Sequence, residues 1–218
     1  MELALFDLDN TLLSGDTDVE WLDFLVERGV LPASERAANH EMDRRYRSGE
    51  AAALEYVRFY LRFYPAHDMS TLLGLRERFV QKRIGPRMLP AARELIRSHG
   101  KDLIAIITAT NRFLTEPIAA AFGVEHLIAT EPQIEHGRFT GDIVGAPCMR
   151  EGKIEHLERW LAARNKTLED FPESWFYSDS INDLPLLARV THPVAVDPDI
   201  SLEKISRDRG WRRLTLRG

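Results

Sequence analysis

Leu5-Phe6-Asp7-Leu8-Asp9-Asn10-Thr11 closes an apolar run with two carboxylates and a hydroxyl at the spacing Asp-x-Asp-x-Thr. The run reads as a strand that delivers a nucleophile. Side chains alternate along an extended chain, so Asp7 and Asp9 share a face if the extension continues, but the expectation is that the chain turns just after Asp7. A carboxylate at the carboxyl end of a strand stands in the crevice where open α/β sheets bind ligands. The same residues can also be read as a strand end running into an Asx turn at Asp9-Asn10. Three fixed positions recur by chance in roughly a few per cent of chains of this size at average residue usage. The motif therefore needs partners elsewhere.

Working outward, residues from about 16 to 84 contain no convincing strand and several helical signatures, as expected of a helical insert. Asp16 to Asp18 can cap a helix carrying Trp21, Leu22, Leu25 and Val26, with Gly29 as its stop. Ser34 can cap a second helix ending near Gly49. A third carries Tyr56, Phe59, Tyr60, Phe63 and Tyr64 at helical spacing and stops at Pro65, and a fourth opens at Ser70 and ends near Gly85. The aromatic stripe reads as the packing face of the insert, with some rings free to line a pocket. Arg58 and Arg62, one turn apart, read as solvated, or as a pair for a substrate carboxylate.

From residue 86 strands and helices alternate. A helix around Pro90 to Ser98 precedes the buried strand Leu103-Ile104-Ala105-Ile106-Ile107, which ends at Thr108. A helix near 113 to 122 is kinked or restarted at Pro117. A short strand from His126 to Ala129 leads to a hairpin turning at His136-Gly137. A helix spans about 153 to 164, Trp175-Phe176-Tyr177-Ser178 is a strand ending at Asp179, a helix follows from Asn182, and Val194-Ala195-Val196 is one more strand. The last segment is helical, then irregular around Trp211. This alternation argues for a parallel sheet covered on both faces, with right-handed crossovers. The insert then occupies the first crossover, above the carboxyl ends of the strands, where a lid could close over Asp7.

The 218 residues suffice for one large domain, or for an ordinary core with a smaller insert. A content of 44% hydrophobic and 29% charged residues is that of a soluble globular protein, and a net charge of −5 lacks the whole-chain footprint of a nucleic-acid binder. A local basic groove is left open. A single cysteine, Cys148, rules out an internal disulfide framework and suits a reducing compartment, the cytoplasm by default. It reads as a small structural thiol, since no spacing pairs it with a base. No apolar run approaches the roughly 20 residues that span a bilayer, and the amino terminus lacks the pattern of a signal peptide. The seven histidines contain no zinc-binding spacing.

Four polar stations fall at or near strand ends and helix starts: Asp7 with Asp9, then Thr108, then Lys153, then Asp179 with Asp183. Singly, each has a bland reading. The aspartates can cap helices, Thr108 can end a strand in a turn, and Lys153 can be a solvated lysine. In a parallel sheet they converge, and the chemistry they suggest is phosphoryl transfer. Acidic residues can hold Mg²⁺, which prefers oxygen ligands, while Lys153 and Thr108 take phosphate oxygens.

Over nearly its whole length the chain resembles the haloacid dehalogenase superfamily, in the phosphoserine-phosphatase-like branch with a helical cap (subfamily IB). The matching motifs are Asp7-Leu8-Asp9-Asn10-Thr11, Ile106-Ile107-Thr108-Ala109-Thr110, Lys153, and Ser178-Asp179-Ser180-Ile181-Asn182-Asp183. The resemblance implies a three-layer, Rossmann-like α/β core with a parallel sheet, residues 1–15 and 85–218, and an inserted helical cap domain of the C1 type, residues 16–84. It implies that Asp7 attacks phosphorus to form an aspartyl phosphate, and that Asp9 is general acid and then base. Asp7, the backbone carbonyl of Asp9 and Asp179 ligate Mg²⁺ on this reading, and Asp183 supports that shell and orients Lys153. Thr108, the amide of Ala109 and Lys153 hold phosphoryl oxygens, with Asn182 beside them.

The implied function is hydrolysis of a small phosphorylated metabolite. In phosphoserine phosphatases an acidic cap residue binds the amino group, and the matching position here is Asp16. The cap phenylalanine and arginine of that family have no counterpart in register, since no single alignment fits Leu54, Arg58 and Arg62. Histidinol phosphate and phosphoserine are the named candidates. A phosphotransferase or mutase would use the same aspartyl phosphate, and a capped α/β binding module is the non-catalytic alternative. No nucleic-acid or membrane partner is expected, and the oligomeric state is not legible.

Overall fold

The computed structural model describes residues 2–217, apart from the side chain of Arg47. Six strands form one sheet in the order β3-β2-β1-β6-β7-β8, where β1 is Leu3–Phe6, β2 Leu103–Asn111, β3 His126–Thr130, β6 Ser174–Ser178, β7 His192–Val196 and β8 Arg212–Leu214. Every neighbouring pair is parallel. Strand order runs outward from β1 in one direction and from β6 in the other, so the switch point of the topology lies between them, where a crevice opens at the carboxyl ends. Phe6 pairs in register with Ile106 and Tyr177, which sets Asp7 level with Ile107 and with Ser178, the last residue of β6.

The period of two decides the layers. Leu3, Leu5, Ala105, Ile107 and Phe176 face one way, against Leu157 and Leu161 of α7 (Glu151–Ala162), Leu186 and Leu187 of α8 (Leu184–Leu187) and Leu202 of α9 (Ile200–Asp208). Ala4, Phe6, Ile106 and Tyr177 face the other way, against Ala92 and Ile96 of α5 (Pro90–Ser98) and Leu114 and Ile118 of α6 (Arg112–Phe122). The result is the expected three-layer α/β core.

Four helices, α1 (Thr17–Glu27), α2 (Glu35–Arg47), α3 (Ala53–Leu61) and α4 (Met69–Phe79), are inserted between β1 and α5 as a helical cap. Asp16 caps α1 by accepting from the Val19 amide, and Trp21, Leu22, Phe24 and Leu25 are buried on one side of it. Full burial of such side chains contributes about 1.5–3 kcal/mol each. The chain segments entering and leaving the cap are tied together: Leu13 bridges to Met88, and the Ser14 amide donates to Arg87 O.

The fold differs from the sequence expectation in several places. The third cap helix ends at Leu61, before Phe63 and Tyr64; the chain tightens into a 3₁₀ turn over Tyr64–Ala66, where Pro65 fits an initial position. The fourth is capped by Asp68, not Ser70, and after Phe79 widens into a π turn over Val80–Ile84. After β6 the chain makes a 3₁₀ turn over Ile181–Asp183 before the short α8. The segment after Trp211 is the edge strand β8, whose Arg212 and Arg213 are exposed and give no apolar signal.

Pro117 neither breaks nor restarts α6. It removes the amide that would bond Phe113 O, and Arg76 of α4 takes that carbonyl instead, at 2.8 Å, with its guanidinium 4.7 Å above the Phe113 ring. A helix irregularity thus becomes a cap-to-core tie.

The hairpin formed by β4 (Pro132–Glu135) and β5 (Arg138–Ile143) turns at His136-Gly137 as expected, with both residues at positive φ. It braces the cap. Phe139 packs edge-on against Tyr64 at 5.0 Å and Phe113 at 5.1 Å, and Arg58 forks onto Asp142 at 3.0 and 2.7 Å. Arg62 lies over the Phe59 ring and pairs with Glu35. Arg58 is thus exposed as well as paired, as the solvated reading expects, while Arg62 is held between the Phe59 ring and Glu35. Each is engaged in a contact that the linear sequence cannot show.

Candidate active site

The Asp7 amide donates to Tyr177 O at 2.9 Å, so the ladder between β1 and β6 runs one residue past the strand before the chain turns. Asn10 takes a left-handed conformation (φ 59), a position asparagine tolerates, and the Leu12 amide bonds back to Leu8 O. This fold-back brings Thr11 beneath the two carboxylates. Its hydroxyl lies 3.2 Å from Asp7 Oδ2 and 3.0 Å from Asp179 Oδ1, and it accepts from the Asp179 amide at 3.0 Å. With one proton, it donates to only one carboxylate at a time.

Lys153 stands in the first turn of α7, fully buried. Its Nζ donates to Asp7 Oδ1 at 2.7 Å and to Asp183 Oδ2 at 2.6 Å; the latter oxygen also accepts from Ser178 Oγ at 2.7 Å. The turn that delivers it is too tight for a side chain at Gly152, where a Cβ would come within 2.1 Å of Pro147 O. Cys148, in the same turn, is buried and its thiol is pushed up to about 12, chiefly by burial, which leaves it inert at neutral pH.

Charge at this edge is out of balance. Asp7, Asp179 and Asp183 surround one lysine. Burial, partly offset by Lys153, raises Asp7 to about 6. Burial and then the charges of Asp7 and Asp183 hold Asp179 well above the usual carboxylate range. For Lys153, burial acts to lower its pKa, but Asp183 and Asp7 outweigh it and raise it, so the lysine stays charged. A cluster of buried carboxylates with one shared cation fits a further cation.

The donors are all oxygens, which suits a hard ion such as Mg²⁺. Among the described residues no group of three or more His, Cys, Asp or Glu side chains forms a metal cage. Two carboxylates and a backbone carbonyl are nevertheless the kind of partial set that Mg²⁺ completes with water and phosphate.

Asp9 is held differently. Its Oδ1 accepts from the Thr17 amide at 2.8 Å and from the Thr17 hydroxyl, and its Oδ2 accepts from Thr110 Oγ1 at 2.7 Å. Those donors favour the ionised form. Burial, followed by the charge of Asp16, outweighs them and pushes Asp9 up to about 7, a value suited to taking and giving a proton near neutrality. Thr17 is the first residue of α1, so the Asp9 carboxylate is positioned by the root of the cap.

Asp7, Asp9, Asp16, Thr108, Ala109, Lys153, Asp179, Asn182 and Asp183 all line one cavity of about 500 Å³. The sequence-derived residues thus come together at the carboxyl edge of the sheet, beneath the cap. The cavity also has walls to which the sequence reading assigned no site role, apart from Tyr56 as one of the rings free to line a pocket. From the cap come Asp18, Asp43, Tyr46 and Tyr56; from the core come Arg150 and the segment Asp199 to Ser201. Asp18 is buried and raised well above the carboxylate range by burial and by the charges of Asp16 and Asp9. Tyr56 is the member of the aromatic stripe that reaches the cavity, and its ring stands 4.4 Å from that of Tyr46.

Arg150 is the most unusual of these. Its backbone has φ 51 and ψ −125, sparsely populated for any residue with a side chain, at a cost of about 1–3 kcal/mol. Its Nε donates to Asn182 Oδ1 at 3.2 Å, and its guanidinium stands 5.2 Å over the ring of Tyr46.

Known proteins resemble this chain in both sequence and fold. Residues 4–188 match the model of the haloacid dehalogenase-like hydrolases. The chain is 38% identical over 213 residues to a histidinol-phosphatase of Neisseria meningitidis, covering 96% of both chains. It is 31% identical over 216 residues to a phosphoserine phosphatase of Mycobacterium tuberculosis, covering 95% of this chain and 68% of the other. A protein of unknown function from Bordetella pertussis superposes with a TM-score of 0.95 at 46% identity, covering 99% of this chain and 98% of the other.

Proposed function

This chain belongs to the haloacid dehalogenase-like hydrolases, and within that family we propose a Mg²⁺-dependent phosphatase that hydrolyses a small phosphate monoester through a phosphorylated Asp7. The observation that carries the reading is the Asp7 carboxylate at the mouth of β1, held at 2.7 Å by a buried lysine and opening onto a capped cavity of metabolite size.

Asp7 Oδ attacks phosphorus as the bond to the leaving oxygen breaks, and Asp9 supplies that oxygen with a proton. Asp9, now ionised, takes a proton from the water that cleaves the aspartyl phosphate. Lys153, Thr108 and the Ala109 amide hold the phosphoryl oxygens as charge develops on them. Asp183 orients Lys153 through the 2.6 Å bond, and Ser178 fixes Asp183 in turn. Asp7, Asp179 and the Asp9 carbonyl would hold Mg²⁺, which when bound would neutralise the negative charge gathered by the carboxylates and the phosphate.

We place the cap at residues 16–84 and the core at 1–15 and 85–218; the tie between Leu13 and Met88 at the root of the insert supports that division. Histidinol phosphate and phosphoserine are the candidate substrates, supported by the activities named for the two relatives and by Asp16 at the cavity wall, where it can meet an amino group. The buried lone thiol, and the absence among the described residues of a helix able to cross a membrane, support a cytoplasmic enzyme.

The test is phosphate release from a panel of phosphorylated metabolites with Mg²⁺ and with a chelator. Turnover of histidinol phosphate or phosphoserine that stops on chelation is expected. No release from any ester in the panel would sink the proposal.

Asp9→Asn separates the proton-transfer role from the nucleophile. In single-turnover experiments the first step is expected to slow about 10²–10⁴-fold with an alkyl phosphate. It should slow far less with an aryl phosphate, whose leaving group needs no proton. Equal slowing would remove Asp9 as the acid.

A further inference from the structure

Arg150 stands where glycine is the conformationally cheap choice. A φ of 51 with a ψ of −125 is readily adopted only without a Cβ, and the neighbouring tight position, 152, is indeed glycine. A side chain kept at a strained position points to what that side chain does. Here the strain aims a guanidinium into the catalytic cavity, where Nε is bonded to Asn182 Oδ1 and the plane lies over Tyr46. Tyr46 is only 6% exposed, so its contact with the guanidinium is sheltered from bulk water.

Charge gives the ligand class. The described cations lining the cavity are Lys153 and Arg150, and Lys153 is neutralised between Asp7 and Asp183. A phosphate ester enters as a dianion among many carboxylates. Of those two cations, Arg150 is the one whose charge is not matched by a carboxylate pair. Its planar fork also suits phosphate oxygens.

We propose that Arg150 is a substrate-binding residue that captures the incoming phosphate group from the cap side of the cavity. With Nε anchored on Asn182, the terminal nitrogens face the phosphate, and the contact to Tyr46 couples that capture to the cap. This rests on the phosphatase reading above, and its failure is separable from failure of that reading. A wild-type protein that hydrolyses no phosphate ester defeats both, whereas an active wild type with an indifferent Arg150 defeats this assignment alone.

The experiment compares wild type, Arg150→Gly, Arg150→Asn and Arg150→Lys in three measurements: thermal midpoint, inhibition by inorganic phosphate, and kcat/KM on phosphoserine and on phosphoethanolamine, which lacks the carboxylate. Arg150→Gly is expected to melt at or above the wild-type midpoint, because the strain is relieved. Its phosphate inhibition constant should rise about tenfold and its kcat/KM should fall about 10- to 100-fold on both esters alike. Arg150→Asn, which keeps a Cβ and hence the strain but removes the guanidinium, should lose phosphate affinity to the same extent without the gain in midpoint, and Arg150→Lys should recover part of the loss. A midpoint that falls with phosphate affinity unchanged overturns the proposal in favour of a structural arginine. A loss confined to phosphoserine overturns it in favour of a contact to the leaving group. An Arg150→Gly chain that fails to fold overturns the argument from strain.

Discussion

Asp7→Asn is expected to abolish phosphate release, by about 10⁴-fold or more, while the protein melts at the wild-type temperature or above it. The loss follows because an amide cannot form the acyl phosphate, and no neighbour replaces it: Asp179 lies across Thr11 and Asp183 is engaged with Lys153 and Ser178. The retained stability follows from charge. Asp7, Asp179 and Asp183 are crowded and partly desolvated, with one lysine among them, so a neutral isostere removes a repulsion felt by both remaining carboxylates. Lys153 keeps Asp183 at 2.6 Å as its counter-ion. Turnover in single-site kinetics and the melting midpoint in chelator are the two readouts. Undiminished turnover would remove Asp7 as the nucleophile. Lost turnover with a collapsed midpoint would show that the carboxylate is needed for the fold, contrary to the charge argument.

The sequence makes the core edge legible because two regularities act together there. Short continuous apolar runs mark Leu3 to Phe6, Leu103 to Ile107 and Trp175 to Ser178 as strands buried on both faces. The βα alternation then makes them parallel, which brings the residues that follow them to one edge. Asp7, Thr108 and Asp179 need no more than that to meet. Lys153 is harder, since its arrival depends on the turn at Pro147 to Gly152.

The cap is legible only as helices. Which of its side chains reach the cavity depends on how α2 and α3 rotate against the core, so Tyr46, Asp43 and Tyr56 look like surface or packing residues in the linear chain. Arg150 is invisible for a different reason: nothing in its residue type announces a positive φ. The same holds for Arg76, whose role arises because Pro117, on another helix, leaves the Phe113 carbonyl unbonded. Tertiary complementarity of that kind has no local pattern to read.

Lys153→Met is expected to differ from Asp7→Asn in losing both properties. Removing a cation from a buried pair leaves its partners uncompensated, and breaking such a pair costs about 3–5 kcal/mol. For a chain of this size that lowers the melting midpoint by roughly 10 °C. The measurement belongs in chelator, because a divalent cation bound nearby would take over part of the compensation. Activity is expected to fall about 10²–10³-fold, the usual effect of losing one preorganised donor at the charge that develops in the transition state.

The double variant Lys153→Met with Asp183→Asn decides whether charge is the cause. If the single variant is destabilised because Asp183 and Asp7 are left facing each other without a cation, neutralising Asp183 should restore about 1–3 kcal/mol, seen as a positive coupling in the double-mutant cycle. Activity should not return with it, since the donor to Asp7 is still missing. Additive destabilisation would mean instead that Lys153 supports the fold through its ammonium over the Phe176 ring, 5.5 Å from Nζ, a contact that methionine also removes.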